Sequence, residues 1–436
     1  MSAKREPKRH LHLSGRSVGG LFPLAGLHLR TLVPSLLACL LLGIATHGAA
    51  ADNPVSPAVP DAKAVPDAKA VPDAKAARPA PPAAEARPAL SKEMSALRDQ
   101  VRTVLAAYAQ TPLNTRDNTP GEILDACLAL GRDAQVFDVA SNQKISAVGC
   151  LSWNYAAGGF TMLTTNETGI LARTGYGLQS RPAELLAMMA LNHVDSGYEM
   201  RVGSFKGTIA DLIKTEQLAC CRDADQSLRL VGLSFYLPDS AAWKNAAGES
   251  WSLTQLVEEE LNREADRSDR DMTDRLLGLT FAVQRRIKKG QPIEGVYRQA
   301  QDLVNQFQPF TLELENADGS WNARFFALRG PSRDAFGALR ATALIDEWLI
   351  LSLPEDRLED PGVVRSVSYL ASNLNAESSQ WGRYAMSTRE LDGWMHALHA
   401  LTLYDARYFR PRDPVKPAAE KKIEEKKTTK DTEKRP

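Results

Sequence analysis

Apolar residues recur at helical spacing through most of this chain, and the clearest example lies between residues 338 and 374. From Ala338 to Leu353 the residues are apolar on almost every side, which is typical of a helix buried between other helices. A second helix is predicted to begin at Asp360, where an N-cap residue is followed by proline in the first helical position. Its apolar residues, from Val363 onward, occupy one face only. The pair therefore predicts an αα-hairpin with one inner and one outer helix.

This alternation of an inner and an outer helix recurs along the chain, at a spacing of about 45 to 65 residues. It predicts an all-α fold, an α/α toroid of about six helical hairpins in which each unit buries its neighbour. A helix predicted from Ser91 has one apolar face, and we expect it to pair with the last inner helix and close the ring. The predicted inner helices span residues 121–130, 182–191, 227–237, 273–286, 338–353 and 393–404.

Between the first two inner helices the pattern changes from helical spacing to alternation with a period of two. Residues 135–148 and residues 160–173 each read as two short strands separated by a polar turn. We therefore expect two small β-hairpins, inserted near the first helical unit.

The two ends of the chain differ in composition from the predicted toroid domain, residues 91–412. Residues 1–51 combine a basic stretch, an apolar run from Leu32 to Ile44 and small residues after it, the pattern of a signal peptide or, if uncleaved, of a signal anchor. Residues 52–90 are Pro/Ala-rich and repeat Val-Pro-Asp-Ala-Lys-Ala in tandem, which predicts a disordered linker. Residues 413–436 are rich in Lys and Glu, as in a solvated tail. We expect an exported protein of the periplasm or cell envelope that contacts the membrane only through its N-terminal segment.

A polar turn before the fifth inner helix carries a family resemblance. Asp318-Gly319-Ser320-Trp321 looks like the repeat signature of squalene and terpene cyclases, with weaker echoes at Gly248-Glu249-Ser250-Trp251 and Gly158-Gly159-Phe160. The chain thus resembles the toroids of those cyclases and of protein prenyltransferase β-subunits over about residues 95 to 410. Its ending, Gly393 to Leu401, also resembles that of secreted bacterial proteins without an assigned activity.

The catalytic groups of these families do not transfer to this sequence. The cyclases that protonate an alkene use an Asp-x-Asp-Asp turn, and the closest stretch here, Asp223-Ala-Asp225-Gln226, lacks the last acid and is better placed to cap a helix. The prenyltransferases hold zinc with Asp, Cys and His. Here Cys150, Cys220 and Cys221 have no histidine at ligand spacing. The resemblance therefore implies an architecture without an activity.

Two groups of ionisable residues are candidate catalytic residues. Asp392, His396 and His399 share one face of the last inner helix, where they could bind a metal or move protons, or could simply satisfy hydrogen bonds in the core. Asp346 and Glu347 lie inside the most apolar helix. A buried carboxylate there is either paired with an arginine or a general acid or base with a raised pKa. The pattern specifies no cofactor and no complete set of metal ligands.

Polar residues also collect at the predicted starts of the inner helices. Because inner helices of a toroid run in the same direction, these residues should gather at one mouth of the ring, where helix N-termini favour an anion. The alternative is that they cap helices and brace neighbouring hairpins. The candidate binding residues are Arg173, Tyr176, Gln179, Arg181, Arg275, Arg340 and Asp392, with Arg229 and Asp274 beside them.

Composition limits the choice of partner. The 53 basic residues are balanced by 53 acidic ones, which argues against nucleic acid as a ligand. The chain has five cysteines but no Cys-x-x-Cys pair. The four beyond the signal region would be buried thiols, or would link Cys220 or Cys221 to the region of Cys127 and Cys150. We expect a binding module of the cell envelope that recognises an anionic polymer or small ligand. The alternative is an enzyme that processes envelope polysaccharide or lipid in the lumen.

Overall fold

The computed structural model describes residues 89–378 and 387–409, which lie in one compact unit. The predicted signal segment, nearly all of the predicted linker and the predicted tail fall outside the described residues. Within them the fold is mostly helical, with a few small β-hairpins, as the sequence predicts. The helices are α1 Lys92–Gln110, α2 Pro120–Leu130, α3 Ala147–Ser152, α4 Glu184–Leu191, α5 Ile209–Leu218, α6 Ser227–Tyr236, α7 Leu253–Asn262, α8 Arg270–Lys288, α9 Val296–Leu314, α10 Ala335–Ser352, α11 Pro361–Glu377 and α12 Thr388–Arg407.

Six of these helices contact one another in a circle. Helix α2 contacts α4, α4 contacts α6, α6 contacts α8, α8 contacts α10, α10 contacts α12, and α12 contacts α2. The other helices pack against this set, and α1 contacts both α11 and α12, which confirms the predicted packing of the helix from Ser91 on the last inner helix. Helix α10 is buried on nearly all sides, whereas α1 and α11 each bury one face.

The strands form four antiparallel hairpins in the described part of the chain, two more than the sequence predicts. The first two match the prediction, except that Ala147 and Val148 open α3 because Ser146 accepts a hydrogen bond from the Gly149 N–H and caps the helix. The strands are β1 Gln135–Asp138 with β2 Gln143–Ser146, β3 Leu163–Asn166 with β4 Gly169–Ala172, β5 Glu199–Val202 with β6 Phe205–Thr208, and β7 Ala242–Lys244 with β8 Ser250–Ser252.

The turn from Asp318 to Trp321 joins three helices. The buried Trp321 donates from its backbone N–H to Thr342 of α10 and from its indole N–H to the carbonyl of Thr311 in α9, at 3.0 and 2.8 Å. Gly319 has φ +88° and lies so close to α11 that a Cβ atom would stand 2.4 Å from the Arg365 carbonyl oxygen, a position that only glycine can occupy. The residues that resemble the cyclase repeat signature therefore hold α9, α10 and α11 together.

The four cysteines in the described residues are free. Cys127, Cys150 and Cys220 are buried, and burial raises the pKa of each thiol. Cys221 is exposed. A link from Cys220 or Cys221 to the region of Cys127 and Cys150, which the sequence left open, is absent, and the buried-thiol alternative is confirmed for three of the four.

Candidate functional site

Charged side chains from several helices meet near the start of α8. We call the six residues Arg181, Glu184, Arg270, Asp274, Arg340 and Asp392 the central charge cluster. Arg270 lies at its middle, with Nη1 3.2 Å from Asp392 Oδ1, Nη2 3.3 Å from Glu184 Oε1 and Nε 3.5 Å from Asp274 Oδ2. Arg181 pairs with Asp274, and Arg340 Nε lies 2.5 Å from Asp392 Oδ2.

Arg270 connects helices that are not neighbours in the circle of contacts. It begins α8, whose neighbours are α6 and α10, yet it pairs with Glu184 on α4 and Asp392 on α12. Burial alone would lower the pKa of Arg270, but the carboxylates of Asp274, Asp392 and Glu184 outweigh burial and raise it. The guanidinium is therefore a permanent positive charge that holds helices from opposite parts of the circle.

Asp125 of α2 belongs beside this cluster and was not among the residues predicted from the sequence. Burial raises its pKa well above the ordinary range, and the negative charges of Asp392 and Glu184 raise it further. The available signal was an acid within the apolar segment from Ile123 to Cys127, the same feature that singled out Asp346 and Glu347.

The predicted histidine pair comes together around Glu347. Its Oε1 atom accepts hydrogen bonds from His396 Nδ1 at 2.7 Å and from His399 Nδ1 at 2.8 Å. His396 Nε2 lies 3.5 Å from Asp392 Oδ1, so its ring stands between two carboxylates. Glu347, His396 and His399 are at most 4% exposed. The sequence correctly placed Asp392, His396 and His399 on one face, and Glu347 is the partner that it did not identify.

Paired charges set the protonation states of this group. Burial would lower the pKa of His396, but Glu347 outweighs burial and the pKa is raised to about 10. Burial would raise the pKa of Glu347, but the two histidines lower it to about 2. The ionised Glu347 therefore stabilises the fold fully above pH 4.5, its ordinary pKa. This stabilisation is lost as the pH falls toward 2. The protonated His396 stabilises the fold fully below pH 6.5, its ordinary pKa. This stabilisation is lost as the pH rises toward 10.

Such a group is poorly suited to general-base or metal chemistry. A protonated imidazole has no lone pair to give, and both ring nitrogens of His396 already face carboxylates. Among residues 89–378 and 387–409, no group of three His, Cys, Asp or Glu side chains could hold a metal ion.

Asp346 occupies a different site from Glu347, its neighbour in sequence. It is fully buried, and its Oδ1 atom lies 3.0 Å from the hydroxyl of Ser366 on α11, which also lies 3.0 Å from the carbonyl of Val363. Burial raises the pKa of Asp346 well above its ordinary range. The hydrogen bond from Ser366 lowers this pKa, but by less than burial raises it. The Ser366 hydroxyl can donate its one hydrogen to Asp346 Oδ1 or to the Val363 carbonyl. Asp346 thus connects α10 to α11 through Ser366.

Replacing Asp346 with asparagine is expected to flatten the pH dependence of stability. A carboxyl with a raised folded-state pKa stabilises the fold fully below its ordinary value of 3.8, and this stability is lost as the pH rises through the folded-state pKa. The amide of Asp346→Asn keeps an oxygen that can accept from Ser366, and it does not titrate. Urea unfolding from pH 5 to 9 should show that the free energy of unfolding of the variant rises relative to that of the wild type as the pH rises. Parallel curves would contradict a raised pKa. Asp356→Asn, in the turn after α10, is the matched control.

The other predicted binding residues lie apart from the central charge cluster. Gln179 is buried, where its amide donates to the Ala172 carbonyl and to Thr174, and accepts from the Leu185 N–H. Arg275 donates to the carbonyl of Leu261. Tyr176 is 81% exposed and packs edge-on against Phe160. Arg229 pairs with Glu216 of α5, and Arg173 is half-buried. Of the predicted binding set, Arg181, Arg340 and Asp392 are brought together, each paired with an opposite charge.

Comparison with known proteins adds no family to these observations. No protein-family model matches the chain, and a search of curated proteins finds no significant match. In the part of the chain that the structure describes, no helix has the length and hydrophobicity needed to span a bilayer.

Proposed function

We propose that this chain is a non-enzymatic binding module: an α/α toroid carried outside the cytoplasmic membrane that binds an envelope polymer through its outer surface. The circle of contacts among α2, α4, α6, α8, α10 and α12 supports the toroid. Export rests on the basic and apolar pattern of residues 1–51 and on the linker after it.

The observation that carries this proposal is the pairing of charges at the centre of the circle. Arg181, Arg270 and Arg340 each pair with a carboxylate from a different part of the chain, and Glu347 accepts hydrogen bonds from His396 and His399. A site for an anion needs cations that are free to pair with it, and a catalytic acid or base needs access to substrate. Neither condition is met here, so we place binding on the outside of the ring.

The test separates a binding module from an enzyme. The full chain would be mixed with purified peptidoglycan sacculi, with saturable co-sedimentation and released soluble fragments measured together. We expect binding without release of fragments. The variants Glu347→Gln and His396→Asn should melt at a lower temperature, because each leaves a buried charged partner unpaired, and should bind as tightly as the wild type at temperatures where both are folded. Release of fragments that Glu347→Gln abolishes without a change in melting would favour the alternative, an enzyme of envelope polysaccharide or lipid.

A further inference from the structure

Exposed aromatic side chains are concentrated in one segment of the described chain. Among the residues that the structure describes, seven large hydrophobic side chains are exposed. Four are aromatic and lie between residues 153 and 205, and the other three are aliphatic. Trp153 and Tyr155 stand two residues apart after α3 and are 41% and 37% exposed. We call residues 153–155 the aromatic turn. Exposed aromatics that lie together mark interaction sites more often than isolated ones do.

The aromatic turn is held rigidly by its middle residue. Asn154 has φ +55°, a conformation that asparagine tolerates better than most residues. Its side chain accepts from the Leu163 N–H at 2.6 Å and donates to the Leu163 carbonyl at 3.0 Å. The backbone N–H of Tyr155 donates to Cys150 at 3.0 Å, so the turn is fixed to α3 as well. Little conformational entropy would be lost when such a turn binds a ligand.

Cationic side chains lie beside the aromatic turn. The guanidinium carbon of Arg201 on β5 lies 3.9 Å from the centre of the Trp153 ring, a close cation–π contact. Arg201 also pairs with Glu199 and faces Lys206 across the β5–β6 register. Strand β5 contacts β3, so the aromatic turn, β3 and β5 form one continuous surface. Because Glu199 already pairs with Arg201, the β5–β6 hairpin is left with one net positive charge, that of the exposed Lys206.

We propose that this surface binds an acidic polysaccharide, with sugar rings lying on Tyr155 and on the face of Trp153 opposite Arg201, and with sugar carboxylates facing Lys206. The proposal rests on the proposed function and names its ligand class. Flat aromatic faces cover the C–H face of a pyranose ring. A protein partner is favoured less, because a protein interface of standard size needs about 800 Å² of each partner's surface. The exposed aliphatic residues Ile287 and Leu328 belong to other parts of the chain.

The experiment titrates the full chain with alginate, an acidic polysaccharide, and with dextran, a neutral one. We expect alginate to bind more tightly, and Trp153→Ala and Tyr155→Ala each to weaken its binding by about tenfold, the loss typical of an aromatic anchor. Trp153→Phe should recover part of the affinity. Lys206→Ala should reduce the dependence of binding on salt. Leu328→Ala is the control, because Leu328 is a large hydrophobic residue of similar exposure, 43%, in another part of the chain, and it should leave binding unchanged.

Three results would overturn the inference. If the double variant of Trp153 and Tyr155 bound sacculi and alginate like the wild type, the ligand site would lie elsewhere and the proposed function would stand. Equal affinity for dextran and alginate would refute the acidic preference. If the full chain bound neither polysaccharide, nor sacculi, nor vesicles of anionic lipid, the proposed function would fail together with this inference. Far-ultraviolet circular dichroism of every variant would show that lost binding is not lost folding.

Discussion

The variant Arg270→Met is expected to lose about 3 to 5 kcal/mol of unfolding free energy, the range measured when one partner of a buried ion pair is removed. Methionine preserves much of the side-chain volume of Arg270 but leaves the carboxylates of Glu184, Asp274 and Asp392 without their shared cation. These carboxylates come from three helices, so the loss should appear in global unfolding by urea, followed by circular dichroism.

Two further variants make this expectation specific. Arg116→Met removes an exposed arginine that pairs with Asp117, and it should leave the unfolding midpoint unchanged because exposed pairs contribute little. Adding Glu184→Gln to Arg270→Met should restore part of the stability, because it removes one of the unpaired acids. If Arg270→Met unfolded like the wild type, the central charge cluster would not hold the helices together, and its arginines would again be candidates for binding an anion.

The helices could be predicted from the sequence because their signals are local. The burial of α10 follows from apolar residues on all sides, and the start of α11 follows from Asp360 and Pro361. The start of α12 was placed too late, at Gly393, because its first turn is polar. Ser387 and Glu390 form a capping box there, which begins the helix at Thr388.

The two missed hairpins carry a weaker signal, although a recurrent one. Strands β5 to β8 are only three or four residues long, too short for an alternating pattern to stand out. A common feature was nevertheless present in the sequence. Ser146, Thr208 and Ser252 each end the second strand of a hairpin and serve as the N-cap of the following helix. The unit repeated in the first half of the domain is therefore helix, hairpin and capped helix.

The partners of the charged residues could not be predicted, because they are distant in sequence. Arg270 bonds to Glu184 and Asp392 across 86 and 122 residues, and His396 bonds to Glu347 across 49. A single sequence shows that charges stand at the starts of helices, but it does not show which helices meet. The same arginines therefore fit either an open anion site or a set of braces, and the observed ion pairs distinguish the two.

Deleting residues 91–112 is expected to abolish cooperative unfolding, a larger effect than that of Arg270→Met. Helix α1 buries Met94, Leu97, Val101, Val104 and Tyr108 against its neighbours α11 and α12. The Tyr108 hydroxyl donates to the Leu374 carbonyl at 3.0 Å, and Arg102 reaches Asp405 of α12 at 2.8 Å. Without α1, apolar faces of α11 and α12 would meet water, and no later helix in the described chain could replace it.

Thermal unfolding followed by tryptophan fluorescence would test this closure, because the Tyr108 ring lies 6.0 Å from that of Trp394, which is buried. We expect the deletion to expose Trp394 to quenching by iodide and to remove the sharp transition. Leu97→Ala should cost about 2 to 4 kcal/mol, as for other buried leucines, whereas Leu328→Ala, at a leucine that is 43% exposed, should cost little. Removing residues 415–436 controls for chain length and should change neither measurement. If the chain without residues 91–112 kept a sharp transition and a shielded Trp394, α1 would be an accessory helix that the rest of the fold does not need.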